Sequence, residues 1–237
     1  MYRNKMQAEQ MKKRTFYTEV AYLAGLILLA FSAALMEAAD FGVSMVVAPA
    51  YLLHLKLVQI FPFFSFGMAE YTLQAVLLIL TILVLRRFKW YYLFSFVTAV
   101  LYGFLLDGAM TLVALVPADS MVIRILFYGA GLVLCSSSVA FLFHTYIAPE
   151  VYELFVKELA AKYSLNMNHV KTVYDCTSCL IAILMSFAFF GLFHFEGVKL
   201  GTVLCALVNG WLIGAFSRQY EKRWTFKDRF PLRRYFE

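Results

Sequence analysis

Asp175, Cys176 and Cys179 open the run DCTSCLIAILMSFAFFGLF, residues 175–193, and place two thiols one helical turn apart. That spacing suits half of a zinc site or a redox pair. Structural zinc takes four ligands, usually two such pairs, and His169 is the one imidazole nearby. A thioredoxin-like pair works in a βαβ setting, which a long apolar helix does not supply. The acid beside the cysteines is the more informative residue. A charge at the centre of a bilayer costs roughly 3 kcal/mol on insertion scales, so ionisable residues inside apolar runs mark sites and paths for ions and substrates. Glu37, Glu70, Asp107, His144 and Asp175 meet that description, and Asn209 adds an amide in the middle of the last run. These six are the expected substrate- or proton-binding residues. No nucleophile–base set, metal-ligand cluster or nucleotide loop is visible, so no catalytic residue, metal or cofactor is expected, and the chain does not read as an enzyme.

Each candidate has a structural role competing with the functional one. Asp107 stands near the outer end of its run, where a helix-end acid faces headgroups. Glu37 and Asp40 are three apart and share a helical face at the end of the first run. Glu70 and Asp175 each open a run, and acids favour helix N-termini through the macrodipole. His144 is either a polar tip at the inner interface or a group titrating near neutral pH on a proton path. Asn209 precedes Gly210 as Tyr102 precedes Gly103, a pattern of interhelical hydrogen bonding beside a close approach. Ser136, Ser137 and Ser138 do the same or line a cavity.

The elements that position these residues follow from composition. Of 237 residues, 62% are apolar and only 15% charged, with mean hydropathy +0.74. A soluble domain carries about 25% charge. Apolar runs long enough for a bilayer give six expected transmembrane helices, at about 18–40, 68–86, 90–114, 121–146, 172–193 and 198–217. The first run is too long for a signal-peptide core and has Glu37 and Asp40 where small residues would mark cleavage, so it reads as retained. All four cysteines lie in or beside apolar runs, which argues against a disulfide framework. With the N-terminus inside, 18 of the 21 Lys and Arg fall on the inner side, and only Lys56, Arg124 and Lys199 fall outside. The positive-inside rule thus puts both termini in the cytoplasm. The net charge of +6 reflects orientation and attraction to anionic lipid, with no nucleic-acid partner needed.

Two connections are too long for turns. Residues 147–171 have Val151, Leu154, Phe155 and Leu159 at helical spacing, which predicts an amphipathic helix on the inner surface. Residues 41–67 are more apolar and predict a re-entrant or interfacial segment on the outer side. Both follow the first span of a set of three, and the sets align. AGLILLAFSAALMEAADFGVS (24–44) lies over AGLVLCSSSVAFLFHTYIAPE (130–150) with a shift of 106. EYTLQAVLLIL (70–80) lies over DCTSCLIAILM (175–185), shift 105, and FSFVTAVLYGFLLD (94–107) over GTVLCALVNGWLIG (201–214), shift 107. Glu70 and Asp175 become symmetry mates, and His144 aligns with Ala38. An odd number of spans per half inverts the second half, a plan that in transporters puts the site near the midplane between halves. The expected fold is an all-α integral membrane protein of six helices in two inverted three-helix repeats, 18–117 and 118–217, between cytoplasmic basic tails, 1–17 and 218–237.

AADFGVSMVVAP after the first span, VTAVLYGFLLD in the third and GVKLGTVLCALVNGWLIG in the last resemble the YczE/YyaS/YitT-type bacterial membrane proteins over about residues 20–217. The chain departs from them at Met45, where Pro is usual after Gly42-Val43-Ser44, and at Phe94-Ser95, where helix three has Gly-Thr. The resemblance implies a multi-pass protein of the bacterial cytoplasmic membrane and an exporter or other transporter. Repeat, intramembrane acids and resemblance together lead us to expect a proton-coupled secondary transporter of a small organic solute, with cationic or amphiphilic substrates favoured by the excess of acids. A substrate-binding subunit of a multi-component importer and a membrane scaffold are the alternatives. Expected partners are the substrate and the bilayer, and a homodimer or membrane partner stays open.

Overall fold

Helix starts and stops follow local chemistry. The computed structural model describes residues 14–165, 167–192, 195, 197–231 and 233. Of the expected tails, residues 1–13, 232 and 234–237 lie outside the described residues. The elements are β1 (Arg14–Tyr17), α1 (Thr18–Ala39), α2 (Ala48–Leu57), α3 (Phe66–Leu85), α4 (Tyr91–Val113), α5 (Met121–Phe143), α6 (Val151–Tyr163), α7 (Met167–Phe190), α8 (Leu200–Arg223) and β2 (Trp224–Lys227). Ser65 and Ser120 cap α3 and α5 by accepting the N–H groups of Met68 (3.1 Å) and Ile123 (3.2 Å). Asp40 and Arg86, in the left-handed region, end α1 and α3.

Six of the helices, α1, α3, α4, α5, α7 and α8, are long and apolar enough to cross a membrane. Their outer faces carry exposed Leu23, Val76, Leu83, Phe104, Leu126, Leu184 and Leu207. Such a belt is what hydrocarbon solvates, and the chain is a multi-pass membrane protein. Two boundaries differ from expectation in ways that matter. α7 begins at Met167, so Asp175 sits in its third turn and does not cap it. α8 runs on to Arg223, beyond the apolar stretch, because its last turns pack on α5 and on Phe16, Trp224 and Phe226 of β1 and β2.

The two short helices are the main departure from a simple bundle. At the start of α6, the Val151 N–H donates to Gln74 Oε1 midway along α3 (3.0 Å). At its end, Lys162 Nζ donates to the Val84 and Leu85 carbonyls where α3 finishes (3.0 and 3.3 Å). α6 therefore runs beside the second half of α3, over about 20 Å at 1.5 Å per residue. Val151, Tyr152, Leu154 and Val156 are buried. The chain leaves α5, turns back into the bundle over 144–150 and returns as α6. The inner-surface helix expected here is a buried half-helix, because its apolar face packs on α3 and its polar side chains find partners on α3 and α7. α2 mirrors it at the opposite end. The chain leaves α1, reverses at Gly42 (φ +100°) and returns as α2, whose Lys56 donates to the Phe189 carbonyl at the end of α7 (3.4 Å). A side chain at Gly42 would also strike Thr202 and Lys199, so this reversal requires glycine. Residues 41–67 are thus re-entrant.

α1 and α5 cross at the centre on small residues. A Cβ at Gly25 would meet Leu142 (2.9 Å) and the Ser138 carbonyl (3.2 Å); one at Gly131 would meet Met36 (2.6 Å) and the Ser32 carbonyl (3.1 Å). Gly25/Gly131, Ser32/Ser138 and Met36/Leu142 are each 106 positions apart, so the crossing reads the same from either helix. Around it, α4 packs on α1 as α8 packs on α5, and α2 packs on α7 as α6 packs on α3. At one end of the bundle β1 and β2 pair in parallel, Arg14 opposite Trp224 through Tyr17 opposite Lys227. This clasp holds the start of α1 and the end of α8 together at the same end of the bundle. Phe16, Phe141, Tyr220 and Trp224 stack beneath it.

Candidate functional site: a cavity between the halves

A cavity of about 40 Å³ lies at mid-length of α1, α4, α5 and α8, room for a few water-sized groups. Most of its lining comes in matched pairs, with Ser32, Leu142, Lys171 and Ile213 outside them. Leu29 and Cys135, Ala33 and Val139, Ser44 and Glu150, Val46 and Tyr152, and Val47 and Glu153 are each 106 positions apart. Tyr102 and Asn209 are 107 apart. The cavity therefore sits where the two halves meet, and its chemistry is lopsided. The first half supplies Ser44, Val46 and Val47 at the start of α2; the second supplies Glu150, Tyr152 and Glu153 at the start of α6.

α6 brings the acids to the cavity, and α3 and α7 answer them. Tyr152 Oη donates to Glu70 Oε2 (2.9 Å), which Gln74 Nε2 also approaches at 3.4 Å. Lys171 Nζ pairs with Glu153 Oε1 (3.0 Å) and Asp175 Oδ1 (3.1 Å), joining α7 to α6. Ser136 Oγ donates to Asn209 Oδ1 (2.8 Å). Among the buried polar atoms of the described residues that lack a hydrogen-bond partner are Glu150 Oε1, in a residue 4% exposed, and Tyr102 Oη, in a residue 1% exposed. Both line the cavity. Burial, with Glu153 and Glu70 nearby, holds the Glu150 carboxyl well above the usual carboxylate range. Four acids, Glu70, Glu150, Glu153 and Asp175, surround one base, Lys171.

Two further pockets flank this centre and are themselves matched. One, of about 370 Å³, opens at the clasp end between Leu142, Phe143, Tyr146, Ala148, Pro149 and Lys157, and shares Leu142 and Glu153 with the cavity. The residues 106 positions earlier, Met36, Glu37, Asp40, Gly42, Val43 and Tyr51, line a pocket of only about 10 Å³ at the opposite end. There the bundle is sealed. Asp40 pairs with Lys199 and, at 2.5 Å, with Arg124, whose Nε also donates to the Ala39 carbonyl (2.9 Å). Burial pushes the Asp40 carboxyl upward, but the two cations outweigh it and hold it below the ordinary value. The Val43 N–H donates to Gly197 O (3.1 Å) and Thr202 Oγ1 to Val43 O (2.8 Å), closing the seam.

The six residues expected from sequence are distributed as follows. Asn209 lines the cavity. Glu70 and Asp175 reach it at one remove, through Tyr152 and Lys171. Glu37 stands at the sealed end and accepts from Tyr51 Oη (3.3 Å). His144 lies at the clasp, its Nδ1 2.7 Å from Ala140 O and Nε2 3.2 Å from Glu221, with Phe226 stacked on its ring. Asp107 is a cross-helix cap: Ser65 Oγ (2.6 Å) and the Gly67 N–H (2.8 Å) donate to its carboxylate at the start of α3. Sequence reasoning missed Glu150, Glu153, Lys171 and Tyr152, all read as surface charge or amphipathic helix. The signal that points to them is the repeat, whose first aligned block ends on Ser44 and Glu150. Of the two cysteines, Cys176 is exposed on α7 and Cys179 half-buried against the core.

No curated protein and no solved structure matches this chain. A family of unknown function, DUF6198, matches residues 16–218, from β1 deep into α8, and the chain belongs to that family.

Proposed function

We propose that the protein is a secondary transporter of a small organic solute, proton-coupled, in the bacterial cytoplasmic membrane, built as two inverted three-span repeats with both termini in the cytoplasm. The cavity between matched residues carries this reading. A site on the axis relating two inverted halves is presented to either side when the halves exchange conformations. The matched pockets support it further: the same six positions are open at the clasp end and collapsed at the other. The conformer is one open toward the termini, and exchange would close Ala148-Pro149 against the bundle and part the Asp40 seal. The two half-helices supply re-entrant backbone that only a protein-lined path tolerates. The 18-to-3 division of Lys and Arg supports the cytoplasmic termini, and the likeness to YczE/YyaS/YitT-type proteins agrees.

The test is a thermal-shift screen of the purified protein against organic cations, amino acids, vitamins and amphiphilic antibiotics, followed by flux of any hit into proteoliposomes under an imposed pH gradient. A ligand at a hundredfold over its dissociation constant stabilises the folded state by roughly 2.7 kcal/mol. We expect a stabilising solute whose flux follows the gradient. Flux that ignores the gradient, or binding without flux, sinks the reading.

A further inference from the structure

Two acids line the cavity, Glu150 and Glu153, and of these Glu150 is the one with a buried oxygen lacking a hydrogen-bond partner among the described residues. Glu153 and Asp175 share the Lys171 ammonium, and Glu70 accepts from Tyr152 and Gln74. Glu150 Oε1 instead faces the cavity, with the unpartnered Tyr102 hydroxyl on the same lining. An ionised carboxyl there is tolerable only with a cation beside it; otherwise it holds a proton. The neighbouring Lys171 shows which cation the acids accept, a primary ammonium held between two carboxylates. The cavity has space for an ammonium group and little more.

Resting on the transporter reading, we propose that Glu150 exchanges a proton for a primary ammonium cation in this cavity. The protonated carboxyl gives up its proton to water in the clasp-end pocket. The ammonium takes its place as an ion pair, with Tyr102 Oη as acceptor for one of its N–H groups. One positive charge leaves as one arrives, so the buried charge is unchanged. Groups facing Glu150 are Tyr22 on α1, Glu70 on α3, Tyr102 on α4, Cys135 on α5, Tyr152 and Glu153 on α6, and Lys171 on α7. Lys171 stays on Glu153 and Asp175 throughout.

The experiment uses the full-length protein in detergent, weakly buffered, with a pH-sensitive dye and methylammonium chloride as the probe. We expect release of about one proton per chain, and an affinity that tightens about tenfold per pH unit while the site is protonated. Glu150→Gln abolishes release and remains folded, since its amide stands in for the neutral carboxyl. Tyr102→Phe weakens binding several-fold and keeps the release, whereas Asp119→Asn, on an exposed loop, leaves both unchanged. Tetramethylammonium, too large for the cavity, releases nothing. The proposal is overturned by no release from the wild type, by undiminished release from Glu150→Gln, or by release with sodium chloride alone, which would assign an inorganic ion. Proteoliposomes separate the two ideas. Proton release without flux of any solute sinks transport and leaves the site standing. Solute flux as fast in Glu150→Gln as in wild type sinks the site and leaves transport standing.

Discussion

Lys171→Met tests whether the triad with Glu153 and Asp175 is a buried ion network. The Lys171 side chain is 18% exposed, those of Glu153 and Asp175 12% and 13%, and both N–O distances are near 3 Å. Methionine keeps the stem and removes the charge. Two carboxylates then face each other without a counter-ion. Removing one partner of a buried pair typically costs about 3–5 kcal/mol. At roughly 2–4 °C per kcal/mol for a chain of this size, the melting temperature should fall by about 10 °C. The assay is thermal unfolding in detergent, followed by tryptophan fluorescence at pH 8. Adding Glu153→Gln and Asp175→Asn to Lys171→Met removes every charge and should recover most of the loss, because a whole buried network can be replaced at little cost. A single variant within about 0.5 kcal/mol of wild type at pH 8, or a triple variant no better than the single, refutes the reasoning.

Other outcomes follow from the same geometry. A Cβ at Gly67 would sit 2.1 Å from the Gly103 carbonyl, whereas one at Gly210 meets nothing within 4 Å; Gly67→Ala should cost about 3 kcal/mol and Gly210→Ala gain up to about 1 kcal/mol, and similar melting temperatures for the two would contradict the helix contact. In a cysteine-free background, Pro149→Cys should react quickly with a bulky thiol reagent and Val43→Cys slowly; adding Asp40→Asn should speed Val43→Cys alone, and no change in rate would refute the seal. Because the Asp40 carboxyl lies below its ordinary value, its ion pairs contribute above the usual carboxylate range and are lost as pH falls through the depressed value, so acid should unmask Val43→Cys as well. Glu150 runs the other way: its raised carboxyl holds a proton in the folded state that the unfolded chain has released, so stability falls as pH rises above the usual carboxylate range. The slope is at most about 1.4 kcal/mol per pH unit, and Glu150→Gln should flatten it; an unchanged slope would assign it elsewhere.

The long helices were legible because bilayer spans write themselves as apolar runs, and each expected span overlaps an observed one. The half-helices were not. Val151, Leu154 and Leu159 repeat as they would on a surface helix, and periodicity alone does not say whether lipid, water or protein covers the stripe. What distinguishes α6 is the chain path before it, including Pro149 and the turn at 144–150, and that is tertiary information. Glu70 and Asp175 stand out in the sequence as acids opening apolar runs, but their partners Tyr152 and Lys171 lie about 80 positions away and four positions away respectively, and Lys171 reads as loop charge. Asp107 is only partly legible for a related reason: its capping of α3 depends on Ser65 and Gly67, which nothing local to Asp107 reveals. Asn209 was legible through its match with Tyr102, and the same comparison applied to Ser44 would have reached Glu150.

The parallel pairing of Arg14–Tyr17 with Trp224–Lys227 joins nearly the first described residues to nearly the last, about 210 positions apart. Contacts so distant in sequence form late, because the loop they close must already be organised. During synthesis β1 emerges long before β2 exists, and its backbone stays unpaired until α8, the sixth spanning helix, is in the membrane. The clasp is therefore a record of completed assembly. A chain halted after five helices leaves β1 as an open edge, and Glu19 without the Arg229 and Phe230 N–H groups that it otherwise accepts. Such an intermediate presents any protease on that side of the membrane with an exposed strand that the finished protein never shows.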